Sequence, residues 1–190
     1  GGGRGRGGRR GRGRGGGGGV RVAGRGQRSG EAQVAGAGRV LVDLDGDGVE
    51  LIGLVNSNTW YDIDGDGQAD RTGWVGADDG FVVLDRNGNG VIDNSSEFSF
   101  INDLLGAQSD LEGLRAFDSN ANGFLDVGDD RFADFQVWQD ANQDGISQAE
   151  ELSSLSQRDI RSINLSLTET GAVVEGATDN VLFAMSTFTR

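Results

Sequence analysis

Twelve residues from Asp140 to Glu151, D-A-N-Q-D-G-I-S-Q-A-E-E, have the types and spacing of a hard-cation site. Asp140, Asn142 and Asp144 stand at positions 1, 3 and 5, with Gly145 at 6 and Glu151 at 12. Ca²⁺ takes roughly six to eight oxygens at about 2.3–2.6 Å, and such a loop can deliver them. Alternate side chains turn inward, and the glycine lets the chain bend so that the carbonyl of Ile146 faces the ion. The late glutamate adds two oxygens. The aliphatic residue expected at position 8 sits one place early, as Ile146, with Ser147 at 8.

The pattern recurs four times. Asp118, Asn120, Asn122, Gly123, Asp126 and Asp129 fill positions 1, 3, 5, 6, 9 and 12 of a second loop. Asp85, Asn87, Asn89, Gly90 and Asp93 fill positions 1, 3, 5, 6 and 9 of a third, whose closing acid, Glu97, comes one residue late. Asp62, Asp64, Asp66, Gly67 and Asp70 make a short form closed at position 9. Asp43, Asp45, Asp47 and Gly48 open a fifth with no acid at 9 or 12; Glu50 is nearest, and Asp78 and Asp79 are the donors it could borrow. Asp, Asn and Gly are also ordinary turn residues. Five such runs within about 110 residues point instead to metal, with calcium as the expected ion.

Charge and composition bound what these loops serve. Residues 1–39 hold ten Arg against one acid, a net +9, and residues 40–190 hold seven Arg against 29 acids, a net −22. The chain has no His, Cys, Lys or Pro. Cys/His zinc sites and His- or Cys-dependent nucleophiles are therefore excluded, and no disulfide staples the fold or reports its compartment. Five divalent ions would bring −22 to −12, so metal is a plausible condition of folding.

The elements that must position the loops are short. Residues 1–19 contain only Gly and Arg, and 20–39 show no period, so 1–39 is expected to be a disordered Gly/Arg-rich arm. Arg-Gly repeats can bind RNA by phosphate contact and stacking, but a flexible linker is the plainer reading, and the acidic domain opposes nucleic-acid binding. Strands are expected at Val40–Val42, Leu51–Val55, Thr59–Ile63, Gly73–Val75 and Phe81–Leu84, with Trp60 and Trp74 in the core. Helices are expected over Glu97–Leu105, Asp110–Phe117, 128–138 and 149–156. The spacing of Phe132, Phe135, Val137 and Trp138 reads as helical, making the loop at 140 a helix–loop–helix unit. The tail returns to strand at Ser162–Leu167, Ala172–Glu175 and Val181–Met185. No run of 18 apolar residues exists to span a membrane. The expected fold is α+β over 40–190: short strands and calcium loops around an EF-hand-like pair. The loops start at uneven intervals, so no solenoid is expected.

With these residues placed, the chain resembles the calcium-dependent self-processing module of iron-regulated RTX proteins. The resemblance rests on Asp43-Leu44-Asp45-Gly46-Asp47-Gly48, Thr72-Gly73-Trp74-Val75, Ala77-Asp78-Asp79-Gly80 and Asn87-Gly88-Asn89-Gly90. It continues through Ile92-Asp93-Asn94, Val137-Trp138-Gln139-Asp140 and Asn142-Gln143-Asp144-Gly145-Ile146-Ser147-Gln148-Ala149, in order from 40 to about 165. It implies a calcium-folded scaffold and a secreted or cell-surface setting within a larger polypeptide. The start on Gly rather than Met also suggests a fragment. It further implies cleavage of an Asp–Pro bond at the module's N-terminal edge, by attack of the Asp carboxylate on its own carbonyl. The same resemblance implies that a Lys amine can then be acylated. Here Gly38 and Arg39 precede Val40, and the chain has neither Pro nor Lys. Two readings follow: a calcium-binding structural module whose self-cleavage is lost, or an autocatalytic module whose scissile bond lies outside this sequence. RNA binding through the arm is a third and weaker one. No protein partner is legible.

Overall fold

The structure, a computed structural model, describes residues 1–2, 18–24, 39–166, 168–169 and 181–190. It is dominated by antiparallel strands. β1 (Gly18–Gly24), β2 (Val40–Val42), β7 (Gly80–Leu84), β8 (Phe124–Asp126), β9 (Phe135–Trp138), β10 (Leu152–Ser154), β11 (Ser162–Asn164) and β13 (Val181–Thr189) form one sheet. Its order is β10-β9-β7-β2-β1-β13-β11-β8, and β12 (Thr168–Glu169) pairs off the path with β13. Two small pairs lie beside it: β3 (Leu51–Ile52) with β6 (Trp74–Val75), and β4 (Trp60–Tyr61) with β5 (Asp70–Arg71).

Successive side chains of a strand point to opposite faces, and here both faces are buried. Val40 and Val42 of β2, Val82 and Leu84 of β7, and Phe135 and Val137 of β9 enter one core with Phe100, Leu111, Leu114, Leu125, Ile163 and Phe188. Leu41, Phe81, Val83 and Trp138 enter the other, an aromatic cluster with Tyr61, Trp74 and Phe98. Trp74 stacks edge-on to Trp138 at 5.5 Å and to Phe81 at 4.9 Å between centroids. Double-sided burial explains why β2 and β7 read as unbroken apolar runs.

The structure overturns the α+β, EF-hand-like expectation. The single α-helix among the described residues, α1 (Asp110–Gly113), runs into a 3₁₀ turn at Leu114–Phe117, so the segment expected to be helical there is one short helix. Glu97–Leu105 is turn, and 149–156 contains strand β10. Residues 128–138 become a 3₁₀ turn at Phe132–Asp134 followed by β9. The spacing of Phe132 and Phe135 suggested a helix, but Phe135 and Val137 enter one core and Trp138 the other, as in a strand buried on both faces. Strand pairing of Trp138 with Leu152 makes the loop at 140 the tip of a β-hairpin. Trp60, expected in the core, is 57% exposed. Its neighbour Tyr61 takes the inward place. Gly18–Gly24, expected to be disordered with the rest of the arm, forms β1. The remaining arm residues between 3 and 38 lie outside the described residues, as does the strand expected at Ala172–Glu175.

Candidate metal centres

All five acidic loops share one backbone. The residues at position 4 (Gly46, Gly65, Gly88, Ala121, Gln143) and at position 6 (Gly48, Gly67, Gly90, Gly123, Gly145) all have positive φ. Only glycine takes that conformation freely, so Ala121 and Gln143 hold it at a cost. At Gly145 space adds to conformation, because a Cβ would come within 2.6 Å of the Trp60 carbonyl oxygen.

The side chains repeat as well. The position-3 oxygen accepts from the position-5 N–H in every loop: Asp45 from Asp47, Asp64 from Asp66, Asn87 from Asn89, Asn120 from Asn122, and Asn142 from Asp144, at 2.9–3.2 Å. The position-1 carboxylates of Asp62, Asp85, Asp118 and Asp140 accept from the position-6 N–H of Gly67, Gly90, Gly123 and Gly145 at 2.8–2.9 Å. Asp43 accepts instead from Gly46, at 2.7 Å. At position 9, Asp93 and Asp126 each accept from the amides at positions 3 and 5.

Closure follows one rule across four loops. Glu151 accepts from the position-2 N–H of Ala141 at 3.0 Å, and Asp129 from that of Ser119 at 2.8 Å. Glu97, one residue late in sequence, accepts from the position-2 N–H of Arg86 at 3.1 Å and from Asp93 and Asn94. In the loop at 43 the same place is taken by Asp79, which accepts from the position-2 N–H of Leu44 at 3.2 Å and from Glu50 at 2.8 Å. Asp79 is fully buried and 35 residues from Leu44; it is one of the two acids, with Asp78, that the sequence offered this loop as borrowed donors. Asp43, Asp45 and Asp79 bring carboxylate oxygens within 4.8 Å of one another, as do Glu50, Asp78 and Asp79, and Asp62, Asp64 and Asp66. Asp47 stands beside the first group. Asp70 is left out of the third, paired with Tyr61 in β5.

The loops are tied to the fold and to each other. Trp74 Nε1 donates to Asp140 at 2.7 Å, and Thr59 Oγ1 donates to the Gln143 carbonyl at 2.8 Å. The N–H of Ile92 donates to Ser147 Oγ at 2.6 Å, joining the loops at 85 and 140 through their position-8 residues. Ile146 exposes its side chain. Packed acids perturb one another. Asp47 shares a hydrogen bond with Asp45 and is pushed up to about 6. Burial pushes Asp79 and Asp140 above the usual carboxylate range. A divalent cation relieves this kind of crowding. The donors are all oxygen, which suits a hard ion rather than a thiophilic one.

A family model described as the SPM domain matches residues 40–190, and the chain belongs to that family. It is similar to the iron-regulated protein FrpA of Neisseria meningitidis serogroup C, 42% identical over 129 residues. That match covers 65% of this chain and 12% of the relative, so the chain spans a small part of that protein's length.

Proposed function

We propose that this SPM-domain chain is a calcium-binding module of a secreted RTX-type protein. It folds as its acidic loops fill, and its self-cleavage is lost. The observation that carries this reading is the shared loop geometry, with a closing acid on the position-2 N–H of the loops at 43, 85, 118 and 140. The residues that would hold ions are those at positions 1, 3 and 5 with these closing acids, and Asp62, Asp64 and Asp66 in the short loop. The ions supply positive charge to clusters that otherwise repel. The similarity to FrpA supports a place within a larger exported polypeptide. Among the described residues no helix is long and apolar enough to cross a membrane.

Loss of cleavage is supported by what stands at the module's edge. Arg39 occupies the place where the resemblance calls for Pro, and its side chain is buried over the Phe98 ring at 4.3 Å and beside Asp110 at 3.9 Å. At a Kd of about 10 μM and about 1 mM calcium, each site adds about 2.7 kcal/mol. Three or four such sites would match the ~5–15 kcal/mol of an ordinary domain. Calorimetric titration with calcium, followed in parallel by far-UV circular dichroism, tests the reading. It should show several binding events and a gain in ordered signal. No binding heat up to about 1 mM calcium, with an unchanged spectrum, would sink it.

A further inference from the structure

The family match begins at residue 40, yet the sheet is not complete from residue 40 onward. Its middle strand is β1, drawn from the Gly/Arg-rich segment. Gly18–Gly24 pairs with β13 from Gly18↔Phe188 to Gly24↔Val181, and with β2 from Val20↔Val42 to Val22↔Val40. On their far sides β2 pairs with β7 and β13 with β11. β1 is thus the strand that joins two half-sheets. We propose that the gap between β2 and β13 is a strand-acceptor slot for an extended, glycine-rich segment. Gly18–Gly24, from outside the family's own region, is its resident occupant.

Three observations carry this. First, the segment reads G-G-V-R-V-A-G, with three glycines in seven residues, and lacks the apolar run of β2 or β7. Recognition therefore falls on main-chain hydrogen bonds, as when a peptide adds to a sheet edge. Second, β1 is covalently joined to its antiparallel neighbour β2, fifteen residues further along the same chain. A covalent tether acts as an effective concentration, on the order of mM when short, and that is the level a free strand must reach to compete. Third, Val40, Leu41 and Val42 of β2 are all buried, so an empty slot would leave an unpaired edge on a strand committed to both cores.

The test uses the full chain carrying Val20→Pro and Val22→Pro, which remove two N–H donors and bar regular strand pairing. Hydrogen exchange is read by mass spectrometry in calcium. Amides of residues 40–42 and 181–189 should exchange at least ten-fold faster than in the parent, while β7 and β9 keep their protection. A synthetic peptide copying residues 16–26, at about 1 mM, should restore protection at 40–42 and 181–189, and the same peptide with the two prolines should not. Unchanged exchange in the proline variant overturns the proposal. If the variant unfolds throughout, refolding by the peptide supports the slot, and failure to refold overturns it.

Discussion

At Arg39 a positive charge is held with its side chain 9% exposed, against a carboxylate that is fully buried. Asp110 Oδ1 accepts from Ser99 Oγ and from the N–H groups of Phe100 and Ile101. Its Oδ2 faces Arg39 at 3.9 Å and, like Arg39 Nε and Nη1, has no hydrogen-bond partner among the described residues. Burial pushes Asp110 above its ordinary range and Arg39 below its own. Removing one member of such a pair strands the other, typically at about 3–5 kcal/mol. Arg39→Met should therefore lower stability by about that much at pH 7. The sign with pH follows from the raised carboxyl. Without the cation, Asp110 rises further in the folded state while the unfolded chain keeps the ordinary value near ~3.9. The loss relative to the parent should therefore grow as pH rises from the parent's folded value toward the variant's higher one, level off above that, and shrink as pH falls. Urea unfolding of both proteins at matched pH, in saturating calcium, reads the difference, and the loops cancel in the comparison. An equal loss at pH 7 and pH 4.5 would contradict the stranded charge.

At the scale of the element, an acidic loop and its flanks separate. The twelve-residue spacing fixes the turn at positions 4 and 6 and the inward acceptors at 1, 3 and 5, and it holds whether a strand or a 3₁₀ turn leads in. Loops at 62 and 140 are tips of hairpins, β4–β5 and β9–β10, and the loop at 43 runs from β2 to β3. The borrowed acid gives a prediction. Asp79→Ala should raise the calcium midpoint of folding by as much as Asp43→Ala does, because Asp79 does for this loop what Glu151 does for the loop at 140. A much smaller effect of Asp79 than of Asp43 would mean that the loop at 43 closes through Glu50. The loop positions, β2, β6, β7 and the late closing Glu97 were legible in the sequence, because each is set by neighbours within about a dozen residues. The hairpins at 140 and 62, the exposure of Trp60 and the place of β1 were not. β1 depends on partners distant in sequence, such as Phe188 for Gly18; the two hairpins pair closer residues, Trp138 with Leu152 and Tyr61 with Asp70, but their short apolar runs do not separate strand from helix by spacing alone. The helical reading of 128–138 failed because Phe132 and Phe135 straddle the change from a 3₁₀ turn to a strand, and three-residue spacing alone does not show that junction.

At the scale of the whole molecule, the proposed calcium dependence raises the question of which repulsion would keep the module open without the ion. Residues 40–190 carry a net −22. Spread over the surface, that charge opposes compaction through a general field. Gathered in the loops, it opposes folding through pairs such as Asp43, Asp45 and Asp79, whose oxygens lie within 4.8 Å. Salt distinguishes the two. The screening length falls from about 10 Å at 0.1 M to about 3 Å at 1 M, so 1 M NaCl removes most of a general field but little of a contact repulsion between partly buried carboxylates. Several of the closing acids are in that second class: Asp79, Glu97, Asp129 and Glu151 are all buried. The local term should therefore dominate. In chelator the chain should lose most of its far-UV and near-UV signal. NaCl at 1 M should recover only a small part of it, and calcium at about 1 mM should recover it all, although the total ionic strength is far lower. Full recovery in 1 M NaCl with chelator present would show that the general field, and not the loops, holds the module open.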